Sequence, residues 1–141
     1  MANAVYPMWK QALMSELDVH KSLDQDNIEN GCYLSLVDIT AGGYVYSDTH
    51  QYYNSITAVI SGPKRITNAV VSGRIFSGDV VVFTGVSGNQ IGALVIHRQN
   101  SGANDTWRLV LYEDTGITGL PMIPSGGNII VKWNDQGIFG L

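Results

Sequence analysis

The chain has one cysteine, Cys32, and charged residues make up only 14% of it. A single thiol excludes an internal disulfide framework, and inside the run CYLSLV it reads as a small buried hydrophobe rather than a reactive group. Such a thiol fits assembly in a reducing cytoplasm. Neither a disulfide nor a metal is needed to hold a chain of 141 residues, because at that size about 68% of the unfolded surface is buried on folding. The expectation is one domain spanning residues 1–141.

Basic residues are few as well. The 8 lysines and arginines are scattered from Lys10 to Lys132 against 12 acidic residues, for a net charge of -4. Without a basic stripe, sequence-independent binding to nucleic acid is not expected. No apolar run reaches the length of a membrane span, and the first residues lack the pattern of a secretory signal. The expectation is a soluble protein that is not secreted by that route. A charge density below the usual quarter suits a protein that hides much of its surface in an assembly, although a glycine-rich monomeric β-domain has the same composition.

Catalytic and metal signatures are missing too. His20, His50 and His97 are far apart, and none has a second His or Cys at metal-ligand spacing. Ser87-Gly88 and Ser101-Gly102 lack the Gly-x-Ser-x-Gly elbow, and Gly85 to Gly88 is not followed by Gly-Lys-Ser/Thr. Asp24, Asp26, Asn27, Glu29 and Asn30 superficially resemble a calcium loop, but the Gly and closing Glu are out of place. That stretch reads as a solvated turn ending at Asn30-Gly31. The acidic pairs Asp38 with Asp48 and Glu113 with Asp114 read as strand-end carboxylates, since nothing in their spacing sets them on opposite sides of a sugar. The expectation is no catalysis, no cofactor and no metal.

What the chain does have is β-forming sequence. Ala93 to Ile96 and Trp107 to Tyr112 flank a polar connector from Gln99 to Thr106, which predicts an antiparallel hairpin. Its apolar residues do not alternate with polar ones, so both faces are expected to be covered. Further strands are expected at Cys32 to Thr40, Ala58 to Ile60 (stopping at Gly62-Pro63), Lys64 to Val71, Arg74 to Phe76, Val80 to Thr84 and Asn128 to Trp133. The Gly/Pro-rich loop from Gly116 to Gly127 cannot extend a central strand. Closely spaced strand and turn signals predict a mainly β fold, an antiparallel β-sandwich or compact barrel.

Two helices are expected in addition. From Val5 to Leu17, Trp9, Leu13 and Leu17 recur every four residues with Met8 and Ala12 beside them, and Pro7 suits the first helical position. Residues 1–17 thus form an N-terminal arm and helix. Ser47 is the expected N-cap of a short helix or turn from Asp48 to about Ser55. Tyr46, Tyr52 and Tyr53 surround His50, which reads as packing of that helix on a sheet, with a ligand pocket as the functional alternative. The apolar ending Ile138-Phe139-Gly140-Leu141 predicts a tail tied down against its own domain or a neighbour.

Four stretches carry a likeness. ANAVYPMWKQALM, LSLVDITAGGYVYSDTHQYY, ALVIHRQ and TGLPMIPSGGNIIVKWNDQGIFGL resemble, in this order, a group of small virion proteins of tailed bacteriophages, and the ending is the most specific part. The resemblance implies a non-catalytic capsid decoration (cement) protein on the outside of the major capsid lattice, made in the host cytoplasm. It implies many copies, as a homotrimer at three-fold positions with the major capsid protein as partner. Candidate contact residues are Val5, Tyr6, Trp9 and Lys10 in the arm and Ile138, Phe139 and Leu141 at the other end, since aromatic residues make good interface anchors. The main alternative is a component of the tail, neck or tail fibre. A carbohydrate-binding or hydrolytic β-domain is a further one, resting on the tyrosines around His50 and on Trp107.

Overall fold

A computed structural model describes residues 3–15, 22–24 and 30–141. Along the chain come β1 (Ala4–Val5), α1 (Pro7–Met14), β2 (Gly31–Val37), β3 (Val59–Arg65), β4 (Val70–Ser72) and β5 (Ile75–Ser77). They are followed by β6 (Val81–Phe83), β7 (Ala93–Gln99), β8 (Arg108–Glu113), β9 (Ile129–Val131) and β10 (Phe139–Gly140). The fold is mainly antiparallel β with an N-terminal helix, as expected, and its strands make three sheets: β1-β8-β7-β2-β3, β10-β5-β4 and β6-β9.

The β7–β8 hairpin is the centre of the large sheet. Every residue of β2, and every residue of β7 up to Arg98, is buried, which is what a strand pair covered on both faces requires. On one face His97 lies against Tyr33, Tyr53 and Trp107. On the other, Leu94 stands across from Glu113 and turns towards β9. The ladder slips between Ile96 and His97, and the extra residue in β8 is the buried Val110.

Pro7 stands at the start of α1, and Trp9 and Ala12 are its buried residues. The helix ends at Met14, with Ser15 donating its backbone N–H to the Gln11 carbonyl at 2.9 Å. It is therefore shorter than the apolar spacing predicts. Leu17, His20 and most of the turn before Asn30 lie outside the described residues.

Two expectations need correction and a third is narrowed. The strand predicted to stop at Gly62-Pro63 runs through it: Leu34 pairs with Lys64 and Leu36 with Ser61, so β3 carries one extra residue opposite Ser35. A bulge on an edge strand tolerates a proline, whose missing N–H breaks no ladder bond there. Gly62 has φ of +111°, and a Cβ added there would lie 2.7 Å from the Leu34 carbonyl oxygen. The strand predicted from Lys64 to Val71 is instead divided by a turn at Asn68, whose φ is +52°. The short helix or turn expected from Asp48 to about Ser55 takes the turn form, not a continuous helix: the Ser47 hydroxyl accepts the Thr49 N–H at 3.2 Å at its start, and a single 3-10 turn follows at Tyr53–Ser55. A second 3-10 turn, Asn104–Thr106, sits in the hairpin loop.

The C-terminal tail is tied to its own fold. Phe139 pairs with Phe76 in β5, and the Leu141 N–H reaches the Arg74 carbonyl at 3.1 Å. The two-residue β4–β5 turn uses Gly73 and Arg74, both at positive φ (58° and 68°), the geometry that matches strand twist in tight hairpins.

Candidate functional site

The contact residues expected at the two ends of the chain converge. Trp9 of α1 meets Phe139 of β10 edge to face with ring centroids 6.0 Å apart, and Phe139 in turn packs on Phe76 at 5.8 Å. Tyr6 and Trp9, at 0% and 3% exposure, belong to the core and offer no free surface. Val5, Ile138 and Phe139 are half-buried, and only Lys10 and Leu141 face solvent.

Sequence reasoning missed the exposure of several apolar side chains in the β10-β5-β4 sheet. Val70 and Val71 in β4 are 50% and 45% exposed, Ile75 is 38% exposed and Leu141 58%. Among the described residues strand β4 pairs only with β5 and so forms an edge. Along a three-residue strand the alternation signal is too short to tell a half-exposed edge from a buried strand.

Two aromatic clusters surround the histidines. The Tyr44 hydroxyl lies 2.7 Å from that of Tyr6 and 2.8 Å from His50 Nδ1, and Tyr46 packs on Tyr6 and Tyr112. Burial pushes the Tyr6 phenol far up, raises Tyr44 to about 12 and lowers His50. A neutral imidazole accepting from Tyr44 satisfies both groups. Of the three tyrosines expected around His50, none is its partner: Tyr52 lies under the Arg108 guanidinium at 4.9 Å, and Tyr53 belongs to the second cluster.

In that second cluster His97 meets Tyr53 at 4.1 Å, tilted by 33°, and stacks on Trp107 at 5.4 Å, with Tyr53 and Trp107 themselves 5.8 Å apart. The strand expected to end at Ile96 continues through His97, which is fully buried, and burial lowers its pKa to about 3. Its Nε2 lies 3.2 Å from Gln99 Oε1, and its Nδ1 has no partner among the described residues. Trp107 is half-buried, with its indole N–H shared between the carbonyls of Asn100 and Gly102 at 3.1 and 3.0 Å. Both clusters are therefore closed by their own contacts.

A cleft of about 910 Å³ opens between the large sheet and β9. Leu36, Ile91 and Leu94 line it from the large sheet's side, Leu120 and Met122 from the Gly/Pro-rich loop, and Trp133 from beyond β9. The Trp133 indole is fixed by donating to the Asp79 carbonyl at 2.8 Å. Glu113 brings a half-buried carboxylate into this lining, and burial raises its pKa. No described residue makes a hydrogen bond or ion pair with that carboxylate. Its sequence neighbour Asp114 is occupied, accepting from Tyr112 Oη at 2.9 Å and Thr115 Oγ1 at 2.7 Å. Asp38 likewise accepts the Thr40 hydroxyl and N–H at 2.6 and 2.8 Å, which hold its carboxyl below the usual range.

Among the described residues no group of three His, Cys, Asp or Glu side chains is placed to hold a metal ion, and no helix is long and apolar enough to cross a membrane. Cys32 is a buried free thiol. Comparison of the sequence with protein-family models and with curated proteins finds no match in either.

Proposed function

We propose that the chain is a structural protein of a tailed-bacteriophage virion: a capsid decoration (cement) protein that binds the outside of the major capsid lattice as a trimer, stabilises the head and performs no catalysis. The observation that carries this reading beyond the sequence resemblance is the character of β4. Soluble proteins blunt a free strand edge with lysine, proline or a bulge. The strand Val70–Ser72 has none of these and is blunted by its short length alone, and its two valines are 50% and 45% exposed. An apolar edge of this kind is covered when copies or a lattice close over it.

The physics of decoration suits such a small contact. Closed symmetry repeats one modest interface in each copy, and simultaneous engagement of several copies raises avidity without a large area in any one. A protein that binds only the assembled lattice stabilises that lattice by linkage.

The test is copy number and position on purified particles, from stained gels and from images of particles carrying a tagged chain. Hundreds of copies spread over the head, reduced by Val71→Lys, are expected. A ring of about six or twelve copies at the neck or tail, or absence from particles, would overturn the decoration reading.

A further inference from the structure

The cleft beside Glu113 has a shape that its lining reveals. It is bordered by all seven residues from Asn128 to Asn134. Side chains of a strand alternate between its faces, so a groove under one face would touch every second residue. One that touches each in succession also reaches the strand's backbone, where an unpaired edge presents its N–H and C=O groups. Strand β9 is paired on one side only, through Val81 with Val131, Val82 with Ile130 and Phe83 with Ile129. Outside that ladder, no described residue makes a backbone hydrogen bond to Ile129–Val131. The cleft therefore brings together a strand edge unpaired among the described residues, a mixed lining in which Lys132 and several amides stand beside Leu120, Met122 and Trp133, and one carboxylate without a partner among the described residues.

We propose that this cleft receives an extended peptide segment of a partner protein, which adds as a strand to the free edge of β9 and places a lysine or arginine side chain against Glu113. Strand addition draws affinity from main-chain hydrogen bonds and specificity from the pockets that take alternate side chains. A basic residue suits Glu113, because its charged end compensates the carboxylate. The cleft volume falls within the usual range for ligand sites, and three residues of β9 give about 10 Å of edge, the length of a short peptide segment. A saccharide would use Glu113 and Trp133 but has no donor and acceptor repeat that matches a strand edge. The pairing concerns a surface apart from β4, and it is expected whether or not the partner is a capsid subunit.

The test uses the full chain, isotope-labelled, titrated with a blocked pentapeptide Thr-Val-Lys-Val-Thr. Two control peptides replace its lysine by glutamate or carry N-methyl groups on the valine amides. Saturable shifts at the β9 amides and at Glu113 are expected with the first peptide, and a loss of roughly tenfold or more in affinity with either control. Glu113→Gln should erase the preference for lysine over glutamate. Equal binding of all three peptides overturns the proposal, as does no saturable response to any of them at about 10 mM. Maltotriose shifting the same amides while the lysine peptide does not would assign the cleft to a glycan instead. The N-methyl control alters only the probe, so the result stands even if Glu113→Gln fails to fold. Failure here would leave particle copy number, and with it the virion reading, untouched.

Discussion

Trp9 and Phe139 stand edge to face, their ring planes at 83°, so the first helix and the last strand close on one another. Contact residues expected at the two ends thus serve first as each other's packing. Trp9→Ala should lower stability by about 3–5 kcal/mol, the usual cost of emptying a buried aromatic site. Lys10→Ala, on the exposed side of the same helix, should stay within about 0.5 kcal/mol. Urea denaturation of both variants checks this, and equal, small effects would place Trp9 outside the core.

Stability should fall as the solution is acidified from neutral. Burial lowers the pKa of His97 to about 3 in the folded state, from an ordinary 6.5. Between those values the unfolded chain binds a proton that the native state excludes, so stability rises with pH across that window and is lost as pH drops through it. One such group contributes a slope of at most about 1.4 kcal/mol per pH unit. His97→Gln should flatten the dependence measured by denaturant titration at several pH values, and an unchanged slope would show that other groups dominate it.

The thiol should be silent until the fold opens. Burial raises the Cys32 pKa to about 12, and only the thiolate is the nucleophile. Native protein at neutral pH should leave a disulfide reagent unreacted over a time in which the urea-unfolded chain is labelled completely. Fast labelling without denaturant would contradict the buried placement.

Gly62 should tolerate no side chain. Its φ of +111°, and the 2.7 Å that would separate an added Cβ from the Leu34 carbonyl oxygen, predict a cost of about 1–3 kcal/mol for Gly62→Ala. Gly127, with nothing within 4 Å, is the control, and Gly127→Ala should leave the melting temperature nearly unchanged.

Where the chain carried long, uninterrupted signals, the fold was legible. The β7–β8 hairpin, the strand expected from Cys32 to Thr40 and found at Gly31–Val37, and the helix with Pro7 at its first position follow from runs of β-formers, from burial on both faces and from a proline in its favoured place. What escaped depended on tertiary context. Nothing local marks Gly62-Pro63 as a bulge rather than a strand end, because the residue that accommodates it, Ser35, belongs to another strand. His97 looked like a strand terminus because Tyr53 and Trp107, which enclose it, lie far away or beyond a loop in sequence. The cleft was illegible for the same reason: Glu113 reads as a solvated strand-end carboxylate until β9 and the Gly/Pro-rich loop stand opposite it.

Asn3 ties down the start of β1 by donating to the Thr115 carbonyl at 2.9 Å and accepting the N–H groups of Asp114 and Thr115 at 2.7 and 2.9 Å. On the ribosome that clasp has to wait. At ordinary elongation rates, the 112 residues of separation amount to on the order of 10 s between the synthesis of one partner and of the other. Throughout that interval β8 is unfinished, so Tyr6 and Trp9 have no completed strand to dock on. The arm is thus made well before the strand it docks on, and chaperones that shield apolar nascent segments have a long opportunity there.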